Sequence, residues 1–393
     1  MDRKDLIWQK ENIKKNSRSL LSFLAVLLLA VSFFSTGIIT GWQLTKQPQP
    51  QIYKTEPAQL ASNLTSNEQM LASKIDQLLQ KSDYIGSIYV RKNNRVILEK
   101  GYGYANLRIK ESNSPSLYYQ IGSIQKAMTA LLILKQIQSG KITFDTKLSE
   151  FYPQIPGSQQ ISIKNMLYMR SGLHRTASPK KPMSDSEIIQ FALHHLKFTG
   201  YDTYHYEPLN YTLLTGVLIK LMNQPYETLL KKEIIRPLHL EHTDFYENVK
   251  NSPQHAVSYQ MSATDDYSKA LVEPETDIRN ELGTGNISMS VYDLNKFFTS
   301  VLSGDIIPKE LLFSLWQNNG DKHPYSGGVY SGNDYILAQG NINRFHAVAA
   351  MKKDTKDAIV MESNIQSDKN IKLPATDLRN QIYELMEGVN LKS

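Results

Sequence analysis

YQIGSIQKAMTALLILKQIQSG, residues 119–140, places a hydroxyl and an amine one helical turn apart at the start of an apolar helix. Gly122 supplies a tight turn, Ser123 stands at the helix opening and Gly140 closes it. Between them Ile124, Ala127, Met128, Leu131, Leu132, Leu134 and Ile137 cover most of the circumference. Such a helix is expected to lie deep in a domain with Ser123 at one mouth. Lys126, three residues on, shares the serine's face. Burial disfavours an ammonium, so its pKa is expected to fall, and the neutral amine can then take the serine's proton. That is serine activation without histidine. A second Ser-x-x-Lys, Ser178 to Lys181, lies in RTASPKKPMSD, among prolines and with no apolar helix behind it. It reads as a solvated loop and serves as an internal control.

The chain has 393 residues, 41% hydrophobic and 21% charged, an ordinary globular composition. It has no cysteine, so its stability rests on a core rather than on disulfides. Residues 19–42, SLLSFLAVLLLAVSFFSTGIITGW, carry no charge and are long enough to cross about 30 Å of hydrocarbon. Arg3, Lys4, Lys10, Lys14, Lys15 and Arg18 precede that run. The expected layout is a cytoplasmic tail over 1–18, a membrane anchor over 19–42, and everything beyond it outside the cell. Ser35-Thr36-Gly37 is only a weak cleavage candidate for a signal peptide. Residues 43–67 are rich in Gln, Pro, Ser and Thr and read as a tether, with one domain over 68–393. The net charge is +6, and the tail's six cations against Asp2, Asp5 and Glu11 leave +3 for residues 19–393. That mild balance gives no reason to invoke nucleic acid and is compatible with an anionic cell-envelope polymer as partner.

Within the domain a helix is expected over 68–81, followed by IGSIYV and RVILEKGYGYAN as a hairpin around Arg91-Lys92-Asn93-Asn94. Residues 123 to about 300 are mostly helical in pattern. The strand-like runs GGVYSG, DYILAQG, FHAVAAMKK and DAIVMESNI follow, then a helix over 375–386. Strands at both ends with helices between them predict an α+β domain: one antiparallel sheet built from both ends, an inserted helical region against it, and the site in the cleft.

Five segments in order carry a family resemblance: GYGYAN at 101–106, IGSIQK at 121–126, MLYMRSGL at 166–173, the long stretch at 210–245 ending in RPLHLEHTDF, and GTGNISMSVYDLNKF at 283–297. Together they resemble the serine hydrolases of the penicillin-binding-protein and class C β-lactamase type, over roughly Gly86 to Glu384. The resemblance implies a β-lactamase/D,D-peptidase-like fold with Ser123 as nucleophile. Its second motif, Tyr-x-Asn, falls at Tyr206-Glu207-Pro208. Tyr206 inherits the role of proton relay with Lys126, while Pro208 lacks the amide that meets a substrate amide. The third motif, Lys-Thr-Gly or His-x-Gly, falls at Ala338-Gln339-Gly340, so the cation that fixes a substrate carboxylate is missing. Arg344 is the nearby substitute. Gly340 still permits close approach of backbone and substrate, and the resemblance assigns the oxyanion hole to the backbone amides of Ser123 and Asn341.

Both departures remove groups that read a terminal D-Ala-D-Ala peptide or a β-lactam. An alanyl ester has its carboxyl group tied up and offers an ammonium instead. The layout is similar to that of the membrane-anchored teichoic-acid D-alanyl esterases of Gram-positive bacteria. Glu207 and Asp202 are the candidates to meet the ammonium. The expected function is an extracytoplasmic serine hydrolase using Ser123, Lys126 and Tyr206, with Gly340, Asn341, Glu207 and Arg344 in the binding site. The rival readings are a D,D-carboxypeptidase or weak β-lactamase with Arg344 as carboxylate clamp, and a catalytically silent wall-binding protein. No cofactor is implied. No metal site is expected either, since His194 and His195 are adjacent and no His-Glu-x-x-His occurs.

If Ser123 is the nucleophile, Ser123→Ala abolishes labelling by a fluorophosphonate probe while stability stays within about 1 kcal/mol of the parent. Ser178→Ala labels normally. Intact-protein mass spectrometry reads both, and retained labelling in the first variant sinks the assignment.

Overall fold

The computed structural model describes residues 64–317, 323–366 and 373–388. The tail 1–18, the apolar run 19–42 and the tether up to residue 63 lie outside the described residues. Among the described residues no helix is long and apolar enough to cross a membrane.

The first helix, α1, runs Ser66–Lys81, starting two residues ahead of the expected 68. A capping box sets its start: Glu68 N donates to Thr65 Oγ1 and Thr65 N donates to Glu68 Oε2. Strands β1 (Gly86–Lys92) and β2 (Arg95–Tyr102) form the expected hairpin. Asn93 and Asn94 turn it at φ 50° and 64°, values that asparagine tolerates better than most residues. After β3 (Tyr119–Gln120) comes the long apolar helix α2 (Gln125–Gln138). The inserted region continues with β4 (Leu173–Arg175), α3 (Asp185–His194), β5 (Leu196–Phe198), α4 (Leu209–Met222), β6 (Thr243–Phe245), β7 (Ile287–Met289) and α5 (Val291–Ser303). The chain closes with β8 (Tyr325–Ser326), β9 (Val329–Ser331), β10 (Tyr335–Ile342), β11 (Phe345–Lys352), β12 (Ala358–Ser363) and α6 (Ala375–Met386).

Among the described residues the main sheet has seven strands in the order β8-β9-β10-β11-β12-β1-β2, every neighbouring pair antiparallel. Its two contributions join where β1 meets β12, with Ile88 opposite Met361. The sheet is thus built from both ends of the domain, as the strand runs predicted. Side chains alternate between its faces. Ala347, Ala349, Met351 and Val360 turn inward to the side covered by α5, in the larger core that also holds α2 and α4. Val348, Ala350, Ile359 and Met361 turn outward onto Ile75 and Leu79 of α1 and Leu378 and Ile382 of α6. Expecting the middle of the chain to be mostly helical missed a second, three-stranded sheet, β3-β7-β6. Its strands are two or three residues long, too short for a period-2 pattern to register.

Two histidines are built into this framework as neutral groups. Burial, reinforced for His346 by the Arg379 charge, lowers His346 to about 4, and burial lowers His255 to about 4. The unfolded chain takes up these protons near pH 6.5 and the folded chain resists until about 4, so stability falls as pH drops through that window. In urea titrations, His346→Gln should therefore shrink the loss of stability between pH 7 and pH 4.5 by roughly 2 kcal/mol. An unchanged difference would show that His346 is not held neutral.

Candidate active site

The site is assembled around the turn that feeds α2. Gly122 sits at φ 49°, and Gly122–Ile124 form a single 3₁₀ turn before the α-helix begins. Ser123 was expected to open the helix; instead Ile124 holds the N-cap position and no side chain caps. The hydroxyl is engaged elsewhere. Lys126, only 1% exposed, donates from Nζ to Ser123 Oγ at 2.9 Å and to the Thr284 carbonyl at 3.1 Å. Its Nζ also lies 5.5 Å from the centre of the Tyr206 ring. None of these three partners is a carboxylate.

The glycine turn at 283–286 is tied to α2 by paired side-chain bonds. Gln125 Nε2 donates to Asn286 Oδ1 at 2.8 Å, and Asn286 N returns a bond to Gln125 Oε1 at 2.6 Å. Thr129 Oγ1 donates to the Gly283 carbonyl at 2.8 Å. These bonds hold Thr284 where its carbonyl can accept from Lys126.

The sheet reaches the serine through two glycines. A Cβ on Gly340, in β10, would lie 1.9 Å from the Ile121 carbonyl oxygen and 2.7 Å from Ser123 N. One on Gly328, at φ 88° between β8 and β9, would lie 2.2 Å from Ala127 N. Backbone therefore packs on backbone at both points, which only glycine permits. The reading of Gly340 changes accordingly: its missing side chain is required first by the serine's own turn.

Above this floor is a pocket of about 260 Å³. Ser123, Gly328, Gln339, Gly340 and Asn341 line it, together with three tyrosines. Tyr206 meets Tyr325 edge to face at 5.4 Å between ring centres, and Tyr325 meets Tyr330 likewise at 5.2 Å. Burial raises the pKa of Tyr325 and Tyr330 above the ordinary phenol value, so both stay neutral at physiological pH. Among the described residues lining the pocket there is neither a basic nor an acidic side chain.

Ser123, Lys126, Tyr206, Gly340 and Asn341 thus converge from distant parts of the chain. Glu207 does not join them. It is buried, its Oε2 accepting from Arg175 N at 3.0 Å and its Oε1 from Leu209 N at 3.1 Å, so it fastens β4 to the start of α4. Tyr206 lines the pocket, and the carboxylate of the next residue is directed to those two amides. Asp202 occupies an exposed turn at φ 61°. Arg344 stands exposed in the β10–β11 turn and does not line the pocket. Ala338 is buried in the larger core, and Ser178 is exposed in coil. The residues that the sequence did not single out are Tyr325, Tyr330 and Thr284. The two tyrosines flank the glycine pair of YSGGVY, and that symmetry was the available signal.

Comparison with known proteins places these features in a family. Residues 71–380 match the family described as Beta-lactamase. PbpX of Bacillus subtilis (strain 168), a protein named for penicillin binding, is 26% identical over 314 residues, covering 80% of this chain and 78% of that one. The teichoic acid D-alanine hydrolase of Staphylococcus aureus (strain MRSA252) is 25% identical over 347 residues, covering 86% of this chain and 84% of that one. The crystal structure of FmtA from Staphylococcus aureus shares the fold with a TM-score of 0.72 at 22% identity, over 84% of this chain and 91% of that one. The D-amino acid amidase of Ochrobactrum anthropi SV3 shares it with a TM-score of 0.67 at 17% identity, over 84% of this chain and 99% of that one.

The close approach at Gly340 is directly testable. Gly340→Ala forces β10 away from the Ile121–Ser123 turn. The rate of fluorophosphonate labelling of Ser123 should fall by at least about tenfold, with a loss of roughly 1 to 3 kcal/mol in stability from overpacking. Gly140→Ala, where a Cβ would meet nothing within 4 Å, is the control for a left-handed glycine without that contact. Equal labelling rates in the two variants would refute the packing argument.

Proposed function

The chain belongs to the β-lactamase family of serine hydrolases, and from that premise we propose that it is an extracytoplasmic esterase removing D-alanyl groups from teichoic or lipoteichoic acid. The observation that carries this reading is the wall of the Ser123 pocket, which offers tyrosine rings and side-chain amides and, apart from Lys126 at the serine itself, no basic group. A substrate with a free carboxylate finds no clamp there. A D-alanyl ester needs none, because its carboxyl group is esterified. Its ammonium requires a partner, and the Tyr206 and Tyr330 rings provide one by cation–π attraction, worth about 0.5 to 2 kcal/mol depending on desolvation. They take the place first given to Glu207. The similarity to a protein named teichoic acid D-alanine hydrolase supports the same substrate. The uncharged run 19–42, with its cations on the amino-terminal side, supports a single anchor with the domain outside the membrane.

In the proposed reaction Lys126 takes the Ser123 hydroxyl proton as Oγ attacks the ester carbonyl. The negative charge develops on the carbonyl oxygen and is held by the backbone amides of Ser123 and Asn341, a contribution of about 3 to 4 kcal/mol per donor. The proton passes by way of the Tyr206 hydroxyl to the polymer oxygen as the ester C–O bond breaks. This leaves a D-alanyl ester on Ser123 and a free hydroxyl on the polymer. Water then attacks the acyl-enzyme with Lys126 again accepting the proton, releasing D-alanine and restoring the serine.

Incubating the protein with D-alanylated lipoteichoic acid and with a D-Ala-D-Ala peptide, and measuring free D-alanine, tests the reading. Release from the polymer with little from the peptide is expected. The reverse would establish a carboxypeptidase, and release from neither a silent binding protein. Within the esterase reading, Tyr330→Leu should raise KM for the polymer by roughly tenfold while Tyr330→Phe, which keeps the ring face, should not. Equal KM values in the two variants would remove the ring from ammonium recognition.

A further inference from the structure

On the segment that carries Tyr206, two side chains of ligand type meet a third from elsewhere in the chain. His174 comes from β4, and His205 and Glu207 from the approach to α4. One ligand atom of each lies within 4.8 Å of those of the other two, and the imidazole rings are 4.5 Å apart between centres. Each residue is already held from outside. His174 Nε2 faces the Thr199 carbonyl at 3.1 Å. A carbonyl only accepts, so Nε2 donates in that contact and Nδ1 is the nitrogen left to bind an ion. Both Glu207 oxygens are oriented by backbone amides, and each keeps a second lone pair. The backbone of His205 is pinned by its N–H to the Met169 carbonyl at 2.9 Å. Such outer hydrogen bonds are the kind that fix the orientation of metal ligands.

We propose that His174, His205 and Glu207 form a binding site for a divalent cation of the zinc class, with water completing the coordination. Two imidazoles and one carboxylate are a donor set suited to zinc or cobalt, whereas calcium and magnesium prefer oxygen alone. His205 is exposed, which gives the ion a path in. A bound cation ties β4 to the residues on either side of Tyr206 and so stiffens the segment that presents that tyrosine to the pocket. Adjacent-histidine and His-Glu-x-x-His patterns do not reveal this site, because its ligands meet only through the fold.

The test uses the full-length protein, stripped with a chelator and titrated with zinc sulfate by calorimetry and with cobalt chloride by visible absorption. Uptake of about one zinc per chain is expected, with the intense cobalt bands of a four-coordinate site. His174→Ala and His205→Ala should each weaken zinc binding by at least about tenfold, and His194→Ala, a histidine outside the cluster, should not. The histidines are substituted rather than Glu207 because Glu207 also holds two backbone amides. Thermal denaturation of each variant verifies that it folds. Zinc should also slow amide hydrogen exchange over residues 199–208 in the parent and not in His205→Ala. No stoichiometric uptake, affinity unchanged in both variants, or equal loss in His194→Ala would overturn the site. Unaltered exchange with zinc bound would overturn the stiffening. Neither readout depends on the esterase reading.

Discussion

The contact between the Lys126 amine and the Ser123 hydroxyl is the constraint around which this domain is arranged. Lys126 is sealed inside a helix whose buried residues are mostly apolar, and a charged group so placed must find partners or lose several kcal/mol. Only one partner, Ser123, is local. The Thr284 carbonyl comes from a glycine turn far along the chain, and the Tyr206 ring from the segment before α4. Satisfying one side chain therefore positions three segments at once. The reciprocal Gln125–Asn286 bonds and the Thr129–Gly283 bond brace the same arrangement one turn deeper.

The second requirement is that the sheet reach the serine. Strand β10 lies against the Ile121–Ser123 turn at Gly340, and the β8–β9 turn lies against α2 at Gly328. Side chains at either point would hold the sheet off and open the floor of the pocket. Because the strands on both sides of the β1–β12 seam are needed to form the sheet, residues near the start and the end of the domain jointly support that floor. Above it the walls are aromatic and uncharged, which makes the pocket selective by what it lacks. On the proposed esterase reading, that lining favours a ligand carrying one positive charge over one carrying a carboxylate.

The elements legible in advance were those with strong local signals. The four strand-like runs after residue 327 and the helix at 375–386 are where their alternation and period placed them. The choice between two Ser-x-x-Lys copies also followed from context, since Ser178 is exposed in coil and Ser123 precedes a buried helix. Glu207 shows where such reasoning fails. Its place beside Tyr206 in the chain suggested a shared pocket, yet its carboxylate is held by Arg175 N and Leu209 N and does not line the pocket. Tyr325 and Tyr330 were passed over because their strands are only two and three residues long.

The sequence by itself determined what depends on neighbours a few residues away: the serine and lysine on one helical face, the first helix to within two residues of its start, the hairpin around Asn93 and Asn94, and the two motif positions whose family side chains are absent. These follow from the helical and strand repeats and from side-chain chemistry, which operate without knowledge of the fold. Only the tertiary structure decided which carbonyl holds the lysine, which glycines bring sheet and helix into contact, and which tyrosines wall the pocket. It also decided that His174 meets His205 and Glu207, the residues on either side of Tyr206. Each of these is a meeting of segments far apart in the chain, and local periodicity carries no information about partners that only packing brings together.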